Sequence, residues 1–528
     1  MVKISFYGGV GEIGGNKIIL SQDDQRIMLD WGMSFGEEGK YFEEFLQPRT
    51  NSILQDYFKL GLTPTIDGIY RDDMLSKKYA EEALEDENII SHLWESDIES
   101  YKQYVNNNGK PFVDGVLLSH AHVDHSAYIG LLDENIPVHT SSTTKDLLHL
   151  LDDIGPLNIS KELVEPGKMY LEQNKSGLTP GAYKIEKEST EREIISHPNQ
   201  EGFEIHDYKI KIFSVDHSIP GSSAFIIQAP DDKKIAYTGD IRFHGRYSDR
   251  SKDFVESASK EDIDVLITEG TRIEEEQPDD EEKVEQEIID MIEKTEGAVF
   301  VGFSWKDLTR YETVLRAAKE TGRTFVISPK TAYLCKHLEG ICTNQIKGPE
   351  RKDSVKVYLS RKRNMLYSPA DYKCNKYTAG YKADWDDGID LTHLENGIKA
   401  PEISKNPEKY IVFMDFYHIK ELLDLDEMSD SIYIRAKSEP FNEEMKLSEN
   451  RLINWLEKFK INQENDNRPY QIHASGHASG PEIADMIEKI DPKTVIPVHT
   501  ERPDVFEEYF QGKEIEVKLP KKGEVIEF

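Results

Sequence analysis

Positions 120–125 read His-Ala-His-Val-Asp-His, three imidazoles and a carboxylate within six residues. This stretch constrains the fold more than any other. The run before it, 113–118 (Val-Asp-Gly-Val-Leu-Leu), is mostly apolar and reads as a buried strand; the run after it, 127–132 (Ala-Tyr-Ile-Gly-Leu-Leu), reads as a helix. The cluster therefore occupies the loop leaving a strand, where several side chains can turn toward one point. His120 and His122 alternate and project to one side of an extended segment, while Asp124 and His125 turn to a second point nearby. Nitrogen and carboxylate oxygen donors suit zinc, manganese or iron, and the imidazoles argue against calcium. A polar loop that merely happens to be rich in His is a poor alternative, because this loop holds three of the 16 histidines.

The chain has 528 residues, enough for two to four domains, and 38% hydrophobic with 10% aromatic residues supply sizeable cores. No apolar run approaches the ~20 residues of a membrane helix. The first residues run straight into a strand-like pattern without a signal-peptide layout, so a cytoplasmic protein with no membrane partner is expected. Three cysteines (Cys335, Cys342, Cys374) are too few for a disulfide framework and lie far from the His cluster. The net charge is −34, from 65 basic and 99 acidic residues, which opposes polyanion binding by the surface as a whole but not by a local groove. One stretch reverses the balance: 347–363 holds seven basic residues (Lys347, Arg351, Lys352, Lys356, Arg361, Lys362, Arg363) against two acids. It reads either as a guide for a phosphate backbone or as a solvated basic face.

In chain order, 9–14 match GxGxxG, but 15–20 continue as a strand rather than a helix, which excludes a dinucleotide site and leaves a tight turn with close backbone approach. A strand at 26–29 ends in Asp30-Trp31-Gly32. Residues 37–110 are polar and irregular, with a helix-like acidic stretch at 77–87; this segment reads either as a cover for the site or as a surface elaboration. Residues 136–140 read as a strand, 143–151 as a helix and 160–200 as another polar stretch. The alternating strand 208–215 delivers Asp216-His217-Ser218-Ile219-Pro220-Gly221, and 234–240 ends in Asp240. The buried strand 263–269 ends in Glu269. The acidic run 274–287 reads as a solvated linker and the start of a helix, and as a domain boundary. Residues 288–465 alternate: helix to 294, strand 298–303, helix 306–320, strand 324–327, helix 331–338, strand 355–359. That pattern suggests a small α/β domain. Then 470–472 lead into His473-Ala474-Ser475-Gly476-His477, a helix follows from Pro481, and the strand 494–498 precedes His499.

HxHxDH after an apolar strand, with Asp30 at the end of an earlier strand and His217 and Asp240 following later ones in order, resembles the metallo-β-lactamase-fold superfamily. Glu269, the SGH histidine His477 and the PVH histidine His499, the last two separated from Glu269 by an insertion, resemble its β-CASP branch. The opening Gly-Gly-Val-Gly-Glu-Ile-Gly and the segments 216–220 and 496–499 are similar to the ribonuclease J family. The resemblance covers most of 1–36, 110–272 and 466–505. The chain ends 29 residues after His499, which leaves no room for an extra C-terminal domain and points to the archaeal type. The insertion at 37–110 departs from the family pattern.

The resemblance implies an α/β fold: an αββα sandwich with an inserted α/β β-CASP domain, divided as 1–272, 288–465 and 466–528. It implies two Zn2+ per chain, with Mn2+ as the alternative. His120, His122 and His217 would hold one metal, Asp124, His125 and His499 the other, with Asp240 bridging and Asp30 supporting the loop. It implies Asp124, His477 and Glu269 as catalytic residues, with His477 protonating the departing oxygen and Glu269 holding it. His473, Ser475 and Gly476 would line the phosphate path and Ser304 would meet a terminal phosphate. Trp305 either stacks on a base or is a core aromatic. His139 falls too soon after the cluster for the family's third motif and reads as structural. In this family a His at the position of His499 goes with RNA. The implied activity is a metal-dependent ribonuclease that hydrolyses phosphodiester bonds by a metal-activated hydroxide, as a 5′→3′ exonuclease, an endonuclease or both, in RNA processing and decay. Its partner would be single-stranded, 5′-monophosphorylated RNA, and the chain would form a homodimer. A small-molecule ester or lactone hydrolase of the same fold and a DNA-acting β-CASP nuclease are the alternatives.

Overall fold

The computed structural model describes residues 1–43, 45–75, 96–154, 159–173, 183–276, 280–338, 355–361, 397–426, 428–440 and 443–528. The acidic stretch 77–87 and most of the basic run 347–363 lie outside the described residues. Of the latter, Arg361 is neutralised within the fold, its Nε donating to Asp424 Oδ2 at 3.0 Å.

Two seven-stranded sheets face each other. The first is built from β1 (Lys3–Gly8), β2 (Lys17–Gln22), β3 (Gln25–Trp31), β4 (Gly115–Leu117), β5 (Val138–Ser141), β8 (Ile194–His197) and β23 (Val525–Glu527), in the order β23-β1-β2-β3-β4-β5-β8. The second takes β9 (Gly202–Ile205), β10 (Tyr208–Ser214), β11 (Ser223–Gln228), β12 (Lys234–Tyr237), β13 (Val265–Glu269), β21 (Thr494–Val498) and β22 (Glu516–Val517), in the order β22-β21-β13-β12-β11-β10-β9. Strand β10 alternates buried and exposed residues, as an outer antiparallel strand should, whereas β13 is buried throughout, as a parallel strand covered on both faces must be. Side chains from both inner faces make one core, including Phe6, Ile18, Leu29 and Leu117 from the first sheet and Ile212, Phe225, Ile267 and Val498 from the second.

Helices cover both outer faces. Ser248–Ala258, Gly480–Ile490 and Asp504–Phe510 pack on the second sheet through Phe254, Ile487 and Phe506 against Phe213, Leu266 and Val495. Ser142–Ile154 and the 3-10 helix Ala127–Leu131 pack on the first sheet. The layers are therefore αββα, the metallo-β-lactamase arrangement.

The early insertion adds to that outer layer. Its helix Ile53–Leu60 and residues up to Leu75 bury Leu54, Tyr57, Ile69, Tyr70 and Met74 in the same core. The rings of Tyr57 and Tyr128 lie 5.2 Å apart. Arg71, fully buried, joins the segment to Glu162 at 2.8 Å and to Asp73. This part braces the helical layer from beneath rather than decorating the surface. The polar stretch 160–200 contains an antiparallel hairpin, β6 (Gly167–Gln173) with β7 (Tyr183–Ser189).

A third sheet is wholly parallel: β14 (Val299–Gly302), β15 (Thr324–Ile327), β16 (Val355–Tyr358), β17 (Gly397–Ile398), β18 (Tyr410–Phe413), β19 (Ile432–Arg435) and β20 (Tyr470–Gln471), in the order β17-β16-β15-β18-β14-β19-β20. Its last strand lies past residue 465, and the helix feeding it, Glu281–Lys294, starts before 288. That helix begins inside the run expected to be a solvated linker and the start of a helix. Its first residue, Glu281, is buried rather than solvated; Val284, Ile288 and Ile292 follow on the inward face at helical spacing.

Candidate metal centre

Register brings the donors together. Strands β12, β13 and β21 are neighbours and parallel, with Tyr237 opposite Ile267 and Glu269 opposite Val498. Their carboxyl ends are therefore level, and Asp240, Glu269 and His499 leave the sheet side by side. Carboxyl ends of parallel strands are where ligands bind in such sheets. His217 leaves the end of β10, and the 120–125 cluster leaves β4 of the facing sheet. The short helix Val123–Ser126 turns Asp124 and His125 away from His120 and His122. Two glycines permit this close approach. A Cβ on Gly32 would stand 1.7 Å from Asp124 O, and one on Gly14, whose φ is +75°, would stand 2.7 Å from the Asp124 Cβ.

Two donor groups result, and Asp240 belongs to both. Its Oδ2 faces His120 Nε2 at 3.6 Å and His217 Nε2 at 3.5 Å. Its Oδ1 faces His125 Nε2 at 3.2 Å and His499 Nε2 at 3.8 Å. His122 Nδ1 lies 3.1 Å from both His120 Nε2 and His217 Nε2, and Asp124 Oδ2 lies 3.3 Å from His499 Nε2. Donors around a tetrahedral zinc at ~2.0–2.1 Å stand about 3.3 Å apart, so these spacings fit. His125 Nε2 and Asp240 Oδ1 are buried without a hydrogen-bond partner. Two such atoms aimed at each other call for a cation. His120, His122, His217 and Asp240 could hold one, and Asp124, His125 and His499 with Asp240 a second.

Each donor is fixed from behind. Asp30, at φ +53°, accepts from Ser119 N at 2.7 Å, from Tyr237 OH at 2.5 Å and from His125 Nδ1 at 2.7 Å. Because a carboxylate only accepts, His125 carries its proton on Nδ1 and turns Nε2 toward Asp240. His217 Nδ1 donates to Gly476 O at 2.5 Å, His120 Nδ1 meets Ser119 Oγ at 2.9 Å, and His499 Nδ1 meets Thr271 Oγ1 at 2.7 Å. His499 itself sits at φ +53°, rare for a residue with a Cβ, and is held there by its N–H on Gly9 O at 2.6 Å.

Burial keeps three of the imidazoles neutral, those of His120, His122 and His217. Desolvation, then the neighbouring His125, push His120 well below its usual value. Burial lowers His122 to about 4 against the pull of Asp124, and lowers His217 well below its usual range. Neutral rings offer lone pairs. Burial alone would protonate Asp240, but the His125, His499 and His477 rings outweigh it and hold the carboxyl well below the usual range. Likewise burial disfavours a charged His125, yet Asp240 and Asp30 raise it well above its usual value.

At the rim, His477 Nδ1 lies 2.9 Å from Glu269 Oε2. Glu269 is buried, and its Oε1 accepts from Ile241 N at 2.9 Å. Burial opposes a charge on His477, but Glu269 and then Asp240 outweigh it and raise the ring to about 9. The ring keeps 21% of its surface, so it can reach a bound molecule.

Of the other expected residues, Ser475 is buried and its Oγ accepts from His477 N at 3.0 Å. Gly476 contributes its carbonyl, to His217. His473 is half-buried, and its Nδ1 has no partner. Burial, then Arg310, Arg272 and Arg242, lower it to about 3. Ser304 stands exposed just past β14, its carbonyl accepting from Asp307 N at 2.9 Å. His139 stacks on His197 and Phe203 away from the cluster. Sequence reasoning missed a buried trio beneath the 473–477 loop. Arg242 Nη1 donates to Ser475 O at 3.0 Å, Arg310 Nη2 donates to Ala474 O at 3.2 Å, and Glu281 Oε1 accepts from Arg310 at 3.0 Å. The one available signal was the helical spacing of apolar residues after Glu281.

Comparison with known proteins agrees with this architecture. Residues 468–520 match the family model described as a Zn-dependent metallo-hydrolase RNA specificity domain. The chain is 22% identical to ribonuclease J of Thermus thermophilus over 517 residues, covering 95% of this chain and 68% of that one. It is 25% identical to the probable RNase MJ4 of Methanocaldococcus jannaschii over 273 residues, covering 51% of this chain and 45% of that one. The chain thus spans less than half the length of the latter relative. A crystal structure of a protein of unknown function from Enterococcus faecalis V583 superposes with a TM-score of 0.66 over 99% of both chains, at 22% identity, and shares the fold. These likenesses support a β-CASP, ribonuclease J-like chain.

Proposed function

We propose that this chain is a metal-dependent ribonuclease that hydrolyses RNA phosphodiester bonds with two Zn2+ per chain, Mn2+ being the alternative cation. The observation that carries the reading is Asp240, whose two oxygens each face a separate pair of His nitrogens beside the His477–Glu269 pair. The ligand sets proposed are His120, His122 and His217 on one side, and Asp124, His125 and His499 on the other, with Asp240 common to both. Cations held there would supply Lewis acidity, polarising water and offsetting the charge of an in-line phosphoryl displacement.

The protein's own groups do the rest. His477, protonated below about 9, is placed to donate its proton to the departing oxygen, and Glu269 holds the ring and balances its charge. Ile241 N–H fixes Glu269 in turn. Gly476 O orients His217, so the loop that carries His477 also sets a ligand. Ser475, His473 and Ser304 are proposed as phosphate contacts. RNA as substrate is supported by the matched specificity model and by the ribonucleases the chain is similar to. We assign the sandwich to 1–272 with the chain's last part, the inserted unit to 288–465 extended by the helix from Glu281 and by the strand Tyr470–Gln471, and a 5′→3′ exonuclease mode, a homodimer and the cytoplasm as parts of the same reading. Among the described residues no helix is long and apolar enough to cross a membrane.

The test uses metal-loaded protein and 5′-labelled single-stranded RNA carrying a monophosphate or a triphosphate, with matched DNA alongside. Release of mononucleotides from the monophosphate end is expected. His477→Ala lowers turnover by about 10²–10⁴-fold while metal content stays at two per chain. Internal cuts alone would leave an endonuclease. Two metals per chain with no cleavage of either polymer, and turnover of a small ester or lactone, would overturn the ribonuclease reading.

A further inference from the structure

We propose that His244 is a positioning residue for the proton donor: a strut, protonated on both ring nitrogens, between Glu482 and the carbonyl of Ser475, which holds the 473–477 loop and its His477 against the metal centre. This rests on the ribonuclease reading, in which His477 donates the proton.

Residues 241–244 directly follow Asp240, the carboxylate common to both donor groups, and they grip the loop on either side of His477. Ala478 N donates to Ile241 O at 2.8 Å. On the other side, Arg242 Nη1 and His244 Nε2 both donate to Ser475 O, each at 3.0 Å. A carbonyl oxygen has two lone pairs, and these two donors fill them. Ile241 N also holds Glu269 Oε1, the carboxylate behind the His477 ring. With these bonds made, His477 Nδ1 stands 3.9 Å from Asp240 Oδ2. One short stretch of chain therefore sets the spacing between the shared ligand and the proton donor.

The other ring nitrogen of His244 decides its charge. Nδ1 lies 2.9 Å from Glu482 Oε2 and 3.1 Å from Oε1. Glu482 Oε2 also accepts from Ser479 N at 2.9 Å. Burial works against a charge on Glu482, but His244 and then Ser479 outweigh it and hold the carboxyl below its usual range. An ionised carboxylate and a carbonyl only accept, so both bonds form only when both ring nitrogens carry hydrogen. Bonds from a charged donor are the short, strong ones that can fix a loop. The ring is buried, with 5% of its surface exposed. Both ends of the strut are anchored. Glu482 stands in the first turn of the helix Gly480–Ile490, which packs on the second sheet through Ile483 and Ile487. His244 O accepts from Glu281 N at 3.2 Å.

The test measures kcat, KM and metal content for the metal-loaded full chain and for H244A, H244Q and H244N. Two substrates are used: single-stranded RNA, and bis(4-nitrophenyl) phosphate, whose nitrophenolate departs without needing a proton. H244A should lower kcat on RNA about 10- to 100-fold, as for a lost contact that orients a reacting group, with two metals per chain retained. It should lose far less on the nitrophenyl ester. Gln places its amide nitrogen where Nε2 stands and Asn where Nδ1 stands, so H244Q should recover kcat on RNA and H244N should not. A histidine that only stabilises the fold would give equal losses on both substrates, following the melting temperature of each variant. Equal losses on RNA and ester, H244N as active as H244Q, or metal lost from H244A would overturn the strut and leave the ribonuclease reading standing. If H244A does not fold, or the wild type does not turn over the ester, the comparison of Gln with Asn on RNA decides. Wild type that does not cleave RNA would overturn the ribonuclease reading and the strut with it.

Discussion

Two buried polar clusters meet at the loop 473–477, and they settle their charges in opposite ways. In one, Arg242 and Arg310 flank Glu281, Asp216 takes a further Arg242 bond at 3.2 Å, and two loop carbonyls absorb other donors. Two guanidinium groups meet two carboxylates, so charge closes within the protein. The buried atoms left without partners are donors: Arg242 Nε and Arg310 Nε and Nη1. In the other cluster His120, His122, His125, His217, His499, Asp124 and Asp240 converge, and the unmatched atoms His125 Nε2 and Asp240 Oδ1 point at each other. The first cluster is a joint that holds the inserted sheet to the sandwich. The second leaves its donors open to a metal ion from outside. Similar burial, with opposite leftover chemistry, separates a structural network from a site.

The largest effect should come from removing the residue common to both halves of the site. Asp240→Asn is expected to lower RNA turnover by more than about 100-fold, beyond the range of second-shell losses, and to drop bound metal below two per chain by elemental analysis. Metal content still at two would break the contrast drawn above. In the arginine joint, Glu281→Ala leaves two buried guanidinium groups short of a partner and should cost about 3–5 kcal/mol in chemical denaturation, with metal content unchanged. A variant that unfolds no more easily but loses metal would show that the two clusters act as one. Asp30→Ala removes the acceptor that fixes His125 and should weaken metal affinity about 10- to 100-fold in a competition titration, with little change in the kcat of the fully loaded enzyme.

The smallest effect concerns a lone buried cation belonging to neither cluster. Lys17 donates to Gly15 O at 3.1 Å and lies 4.9 Å from the centre of the Tyr128 ring. Burial, only partly opposed by Glu12, lowers it from its usual 10.5 to about 7. Below about pH 7 both folded and unfolded chains carry its proton. Between about 7 and 10.5 only the unfolded chain does, so this group makes stability rise with pH across that window. Lys17→Met should flatten the rise in melting temperature between pH 7 and 9. An unchanged profile would mean that Lys17 stays charged in the fold.

Much of this was legible in the chain. The strands at 26–29, 208–215, 234–240 and 263–269 followed from apolar runs and alternation. The α/β character of 298–359 followed from alternating elements, whereas the parallel pairing of its strands is a finding of the structure. The seven candidate donors were legible because four of them stand in one loop and the other three follow later strands, a local pattern that survives without knowledge of the fold. The start of a helix within 274–287 was legible, but the burial of Glu281 was not. A charge run looks the same whether its first member faces water or two arginines, and both arginines come from elsewhere in the sequence, 39 and 29 residues away. The braced insertion at 53–75 was also hidden, because its buried residues are spread among polar ones and gain their cover only from the 3-10 helix at 127–131 and the hairpin near Glu162.

The sequence by itself determined which atoms are candidates to bind a cation, in what order strands deliver them, and that an α/β unit interrupts the sandwich. These are properties of composition and short-range periodicity. Only the tertiary structure decided that Asp240 faces both donor groups, that Gly476 O aims His217, and that Arg242 and Arg310 carry the 473–477 loop. Those facts depend on register between strands hundreds of residues apart, as in the pairing of Glu269 with Val498, and on backbone approaches that a side chain at Gly14 or Gly32 would forbid.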